Sequence, residues 1–262
     1  MSGSLEGKVA IVTGAGQGMG RAFAQVLAEE GASVTIAEIA PDTGAQAASE
    51  LVAEGLKARS IATDVADTAS VEAMVAEVVA ADGRIDILVN NAGLAAGGPS
   101  EDITDEEWDR FYSVVLKGVF VCSRAVANAS MIPNRSGVIL NICSIAGLGG
   151  WAQRALYNPA KAGVIALTNT LGVEWARHGI RVVGINPGQV ETPLNDYVFE
   201  RGLADRETFT NRAPMRRFAT PEEIGRAVRF LTSDEASYIT AEVVTIDGGW
   251  MAWGGIEEPV GV

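Results

Sequence analysis

Tyr157 and Lys161 stand four residues apart, so on a helix both side chains project from one face. Pro159 between them suits a first helical turn, where amide protons have no helical acceptor. A phenol titrates at about 10, so only about one part in a thousand is ionised at neutral pH. An ammonium at about 4 Å favours the phenolate by about 4 kcal/mol at an effective dielectric near 20, the scale that proton transfer requires. The same spacing also suits a surface tyrosine beside a solvated lysine, and the rest of the chain has to decide between them.

A second chemical feature lies near the N-terminus. Lys8–Thr13 reads as a strand and runs straight into Thr13-Gly14-Ala15-Gly16-Gln17-Gly18-Met19-Gly20. The common G-x-G-x-x-G spacing fails here, because Met19 or Arg21 would occupy the third glycine position. The spacing that fits is T-G-x-x-x-G-x-G, using Gly14, Gly18 and Gly20. Such a turn either serves structure alone or lets a pyrophosphate approach the N-terminus of the following helix. With no G-K-[ST] it is not a nucleoside-triphosphate loop. Glu38 ends the next strand, 18 residues after Gly20. It is either a solvated strand end or an acceptor for the adenosine ribose hydroxyls that repels a 2′-phosphate. Position 17, where an arginine could hold that phosphate, is Gln17. Both features favour NAD over NADP.

The elements that position these residues alternate along the chain. Strands are expected at Lys8–Thr13, Ser33–Glu38, Lys57–Thr63, Asp86–Asn90, Gly137–Cys143, Ile180–Ile185 and Ala241–Ile246. Several are apolar on consecutive residues, as parallel strands covered on both faces are. Helical patterns fall near 19–30, 42–54, 68–81, 105–130, 158–177 and 221–232. Gly31 and Gly179 sit where helices end, and Pro41-Asp42 and Pro221-Glu222 where they begin. The alternation predicts an α/β doubly wound parallel sheet of about seven strands in a single domain, 1–262. The long gap over 189–218 reads as a substrate lid or a surface excursion.

Composition narrows the function further. The 262 residues carry 33 acidic against 20 basic side chains, a formal net charge of −13 that speaks against a nucleic-acid surface. One histidine and two cysteines cannot supply a Cys/His zinc site, so no metal is expected. No apolar run approaches a bilayer span, and MSGSLEGK lacks the pattern of a signal peptide. A cytoplasmic protein is expected, with Cys122 and Cys143 as buried free thiols and His178 as a structural residue.

Taken together, these positions resemble the short-chain dehydrogenase/reductase family, in its roughly 250-residue, NAD-preferring kind. The resemblance spans the whole chain. It rests on the Thr13–Gly20 turn, Asp64-Val65, Asn90-Asn91-Ala92-Gly93, Ser144 thirteen residues before Tyr157, the Tyr157/Lys161 pair, and Pro187-Gly188 with Thr192. It implies a Rossmann-like sheet with helices on both faces. It places Gln17 and Met19 on the pyrophosphate turn, Glu38 on the adenosine ribose and Asp64-Val65 beside the adenine. The Asn91 backbone would lie along the cofactor, with Val190 and Thr192 at the carboxamide end. Tyr157 would be the acid/base, Lys161 would favour its phenolate and hold the nicotinamide ribose, and Ser144 would bind the substrate oxygen. The family's usual asparagine is replaced by Val115, which interrupts or reroutes a water-linked proton path behind the lysine.

The reaction implied is NAD-dependent interconversion of a secondary alcohol, a sugar or polyol among the options, and its ketone. A 3-ketoacyl or ketone reductase and a catalytically impaired NAD-binding sensor are the alternatives. Gly147–Leu156 should form a pocket wall, with Trp151 and Arg154 touching substrate unless Arg154 pairs with a surface acid. The aromatic tail 247–262 either closes the pocket or packs on a neighbouring subunit. The resemblance implies a homotetramer built on the helices near 105–130 and 157–177.

Overall fold

Val9-Ala10-Ile11-Val12 is apolar on consecutive residues and so demands cover on both faces. In the computed structural model, which describes residues 3–193, 195, 199 and 205–254, it is the fully buried strand β1 (Val9–Thr13). Six further strands follow: β2 (Ser33–Glu38), β3 (Ala58–Ala62), β4 (Ile87–Asn90), β5 (Gly137–Ile142), β6 (Ile180–Pro187) and β7 (Glu242–Ile246). They form one sheet in the order β3-β2-β1-β4-β5-β6-β7, every pair parallel. The helices are α1 (Gly18–Glu29), α2 (Pro41–Ala53), α3 (Thr68–Asp82), α4 (Asp105–Asn134), α5 (Tyr157–Trp175), α6 (Arg206–Arg212) and α7 (Pro221–Thr232).

Alternate strand residues feed two cores. Ala10, Val12 and Ile36 pack under Phe23 and Leu27 of α1, Leu51 of α2 and Val228 of α7. Val9, Ile11 and Leu88 pack under Val75 of α3, Val126 of α4 and Leu171 of α5. By length and composition α4 could cross a membrane, yet 56% of its apolar window is buried inside the protein. Gly31 and Gly179 adopt φ of +96° and +74° and end α1 and the turn after α5.

The strands and helices expected from the sequence are present, with ends moved by one to four residues, because a ladder or helix ends where its backbone partners do. Two features were not anticipated. Helix α4 runs on to Asn134 and contains two wider, π-type turns, Ser113–Lys117 and Ala127–Met131. The gap 189–218 contains α6, capped by Asp205, whose carboxylate accepts from the Glu207 and Thr208 amides. Of the expected lid and aromatic tail, residues 194, 196–198, 200–204 and 255–262 lie outside the described residues.

Candidate active site

The order of the sheet reverses between β2-β1 and β4-β5, and the carboxyl ends of strands on either side of such a point border a crevice. Apart from Tyr157 and Lys161, which lie on α5, and Trp151 and Arg154 in the segment before it, the chemical residues read from the sequence leave strands at this edge. The glycine turn follows β1, Glu38 ends β2, Asp64 follows β3, Asn91 follows β4, Ser144 follows β5, and Val190 and Thr192 follow β6. His178 precedes β6 and therefore lies at the opposite edge, where Arg177 Nε donates to its Nε2 at 3.2 Å.

The glycine turn is built from two kinds of constraint. Gly14 and Gly18 have φ of +61° and +57°, the left-handed region that other residues avoid. Gly20 is needed for close approach, since a Cβ there would stand 2.3 Å from the Gly14 carbonyl oxygen and 2.5 Å from Asn91 Nδ2. Gln17 precedes α1 in an extended conformation and its side chain makes no cap, and no acid lies in the first turn. The leading amides of this 12-residue helix are thus left for an anion, which is the fit a pyrophosphate requires. Met19 packs on the core below.

Thr13, a residue the sequence reading used only as part of the motif, organises the turn. Its Oγ1 accepts from the Asn91 and Ala92 amides, both at 3.0 Å. Asn91 Nδ2 donates to the Thr13 and Gly14 carbonyls at 3.0 and 2.9 Å. Asn91 therefore ties the end of β4 to the turn through its side chain, in addition to lending backbone to the crevice. At the end of β2, Glu38 accepts from the Gly16 amide at 3.0 Å and the Ala40 amide at 3.3 Å. These bonds hold the Glu38 carboxylate beside the glycine turn. Ile39 beside it is 66% exposed, an apolar surface available to a base. Val65 is buried and Asp64 accepts from the Ala66 amide at 2.9 Å, fixing the loop after β3.

At the other end, Tyr157 opens α5 and stands edge-on to Phe111 of α4, centroids 6.2 Å apart. Lys161 is 7% exposed; its Nζ donates to the Ile142 carbonyl at 2.7 Å and lies 5.9 Å from the Tyr157 ring centroid. Among the described residues no carboxylate forms an ion pair with Lys161, so its charge is uncompensated beside the phenol. Ser144 Oγ caps a short turn by accepting from the Ala146 amide at 3.1 Å. Beneath lies a buried relay: Asn90 Nδ2 donates to Asn141 Oδ1 at 2.8 Å, and Asn141 Nδ2 to Thr168 Oγ1 at 2.9 Å. Burial pushes the Cys143 thiol up to about 11, against the opposing pull of Lys161, so it stands next to Ser144 as a neutral bystander. Val115 is 1% exposed in the widened turn of α4 and packs in one apolar cluster with Phe111, Leu156 and Ala160.

Trp151 and Arg154 both line a cleft of about 840 Å³ whose other walls come from α6 and the tail. Trp250 is its hub, 6.0 Å from Trp151 and 5.9 Å from Phe209 between centroids. The tail reaches it because Asp247 accepts from the Gly249 and Met251 amides at 2.9 and 2.8 Å, folding Asp247-Gly248-Gly249 into a tight turn. Arg212 was visible only as one of the arginines of the 189–218 segment, and neither it nor Phe209 was assigned to the site, since nothing periodic marks a seven-residue helix inside a long gap.

A family model described as enoyl-(acyl carrier protein) reductase matches residues 14–251. The chain is 40% identical over 247 residues to the 3-oxoacyl-[acyl-carrier-protein] reductase FabG of Thermotoga maritima, covering 94% of this chain and 98% of that one. It is 39% identical over 258 residues to a sorbitol dehydrogenase of Cereibacter sphaeroides, covering 95% and 99%. Among solved structures it superposes on gox2181 with a TM-score of 0.91 at 37% identity, covering 95% and 97%. It also superposes, with a TM-score of 0.88 at 36% identity and covering 95% and 98%, on a candidate NAD(P)-dependent gluconate 5-dehydrogenase from Beutenbergia cavernae with NADP bound at low occupancy. With these matches over nearly its full length, and the nicotinamide-nucleotide crevice described above, the chain belongs to the short-chain dehydrogenase/reductase family of oxidoreductases.

Proposed function

We propose that this protein is an NAD-preferring dehydrogenase that interconverts a secondary alcohol and its ketone, with Tyr157 as the acid/base. The observation that carries the reading is the buried Lys161, unpaired with any carboxylate among the described residues and anchored on the Ile142 carbonyl beside the Tyr157 ring. In oxidation, the Tyr157 phenolate takes the alcohol proton, and Lys161 favours the phenolate that makes this possible. Ser144 Oγ donates to the substrate oxygen and steadies its developing charge. A nicotinamide held in the crevice would supply the hydride acceptor for the carbinol C–H bond. Reduction reverses each transfer, with the Tyr157 phenol supplying the proton.

Glu38 and Gln17 support NAD, since a carboxylate at the ribose end repels a 2′-phosphate and no arginine replaces it at 17. The segment 189–218, carrying α6 at the cleft, acts as the substrate lid. A cytoplasmic, homotetrameric protein fits two unbridged buried cysteines and the exposed Phe120 and Val173 on α4 and α5. The 40% identity to a 3-oxoacyl reductase favours a second reading, the same chemistry run as ketone reduction.

The test is fluorescence titration with NADH and NADPH, then a turnover screen over secondary alcohols, sugars, polyols and ketones. Tighter NADH binding, and turnover lost at least about 10²-fold in Tyr157→Phe with NADH binding retained, are expected. Preference for NADPH would overturn the cofactor reading. Undiminished turnover by Tyr157→Phe would overturn the chemistry.

A further inference from the structure

We propose that the cleft beside the N-terminal end of α5 is built for a substrate carrying an anionic group, carboxylate or phosphate, held by Arg154 and Arg212. This rests on the alcohol–ketone reading above and names the class of substrate that reading leaves open. In a chain of net charge −13, the described lining of the cleft holds two arginines and no aspartate or glutamate. Trp151, Phe209, Trp250 and Trp253 give it aromatic walls.

Arg212 is held by ring faces. Its guanidinium carbon lies 5.4 Å from the Trp250 centroid and 5.5 Å from the Trp253 centroid. Aromatic faces attract the charge but accept none of the five in-plane N–H bonds of a guanidinium. Its Nη1 is buried and has no hydrogen-bond partner among the described residues. A buried donor without an acceptor is costly in a finished fold, and a ligand acceptor brought to this guanidinium from the cleft offsets that cost. A carboxylate or phosphate does so with matching geometry.

Arg154 is placed by its backbone surroundings. A Cβ at Gly97 would stand 1.8 Å from Arg154 Nη1, so the guanidinium occupies the room that this glycine leaves. Gln153, although not glycine, adopts φ of +61°, and its carbonyl accepts from the Gly98 amide at 3.1 Å. Strain of this kind persists where it aims a neighbouring group. The only hydrogen bond the Arg154 side chain makes among the described residues is a long 3.4 Å one to the Gln153 carbonyl, and no acid pairs with it there. Two guanidiniums line one aromatic cleft, and neither is paired with an acid among the described residues, which suits an anionic group on the substrate.

The experiment is calorimetric titration of the protein saturated with NADH, using matched pairs: sodium gluconate against sorbitol, and sodium benzoate against benzamide, with inorganic phosphate alongside. The carboxylates are expected to bind at least tenfold tighter than their neutral partners. The Arg154→Gln/Arg212→Gln double variant should lose that preference while keeping its NADH affinity, which reports an intact fold. Binding of phosphate but neither carboxylate would assign the same subsite to phosphoryl substrates. Equal binding of charged and neutral partners, no anion binding at tens of millimolar, or a preference that survives in the double variant overturns the proposal. Tyr157→Phe separates the two readings. It should keep the anion preference and lose turnover; if turnover instead survives, the reaction reading falls while the calorimetry still decides the anion site.

Discussion

Gly14, Gly18 and Gly20 are equivalent letters in a motif, but the structure makes them unequal, and Gly20→Ala is the sharpest test. Its new methyl carbon would lie 2.3 Å from the Gly14 carbonyl oxygen, 2.5 Å from Asn91 Nδ2 and 2.9 Å from Ala15 Cα. Two of these neighbours are backbone, so α1 has to back away from the turn. Overpacking of this kind costs about 1–3 kcal/mol. Displacing the Asn91 amide also threatens its bonds to the Thr13 and Gly14 carbonyls, about 1 kcal/mol each. The total is about 3–5 kcal/mol. With unfolding entropy of about 2.1 cal/mol/K per residue, a chain of this length loses about 2 °C of Tm per kcal/mol. Gly20→Ala should therefore melt about 6–10 °C below the natural protein. Gly18→Ala, whose methyl meets nothing within 4 Å, bears only the left-handed backbone cost, about 1–2 kcal/mol or about 2–4 °C. Thermal melts with and without saturating NADH measure both, and the stabilisation by NADH should shrink most in Gly20→Ala. Equal melting of the two variants would refute the reasoning, because α1 would then be free to move off the turn at no cost.

Val115→Asn places an amide in an apolar cluster and should lower stability by about 1–3 kcal/mol, seen as a lower urea midpoint, without reducing turnover of the folded enzyme. A large loss of turnover would show that Val115 belongs to a differently organised proton path. Burial pushes the Cys122 and Cys143 thiols up to about 12 and about 11, so an aromatic disulfide reagent at mildly alkaline pH should label neither until the chain is unfolded, and then both. Arg217 donates to both Glu223 oxygens at 2.7 Å, and the Thr220 amide donates to Oε2 at 2.9 Å, holding this carboxyl down to about 2. A depressed carboxyl stabilises the fold above its unfolded value of about 4.5, and that contribution fades as pH falls toward 2. Glu223→Gln should thus be less stable at neutral pH and lose stability less steeply between those limits, as pH-dependent urea midpoints would record.

Most of the fold was legible because its signals are local. Val9-Ala10-Ile11-Val12 announces a strand covered on both sides, and Pro221-Glu222 a helix start, whatever the rest of the chain does. The glycine turn, Glu38 and the Tyr157/Lys161 pair were legible for the same reason, since each depends on spacing within one strand–turn–helix or one helical turn. Helix α6 was not legible, being seven residues with no apolar period long enough to stand out. The role of Thr13 was only half visible, because its partners Asn91 and Ala92 lie 78 and 79 residues away.

Taken alone, the amino-acid sequence determined the alternation of strands and helices, the family, and the residues proposed to meet nucleotide and proton, for all of these are set by short-range geometry. Tertiary structure decided that Lys161 is buried against the Ile142 carbonyl, that Gly20 is a close approach where Gly18 is open, and that Trp151, Arg154, Phe209, Arg212 and Trp250 share one cleft. Those five residues come from three segments, and no spacing rule relates them. Their meeting is set by how α6 and the tail pack over the edge of the sheet, a property of long-range burial that no window of sequence contains.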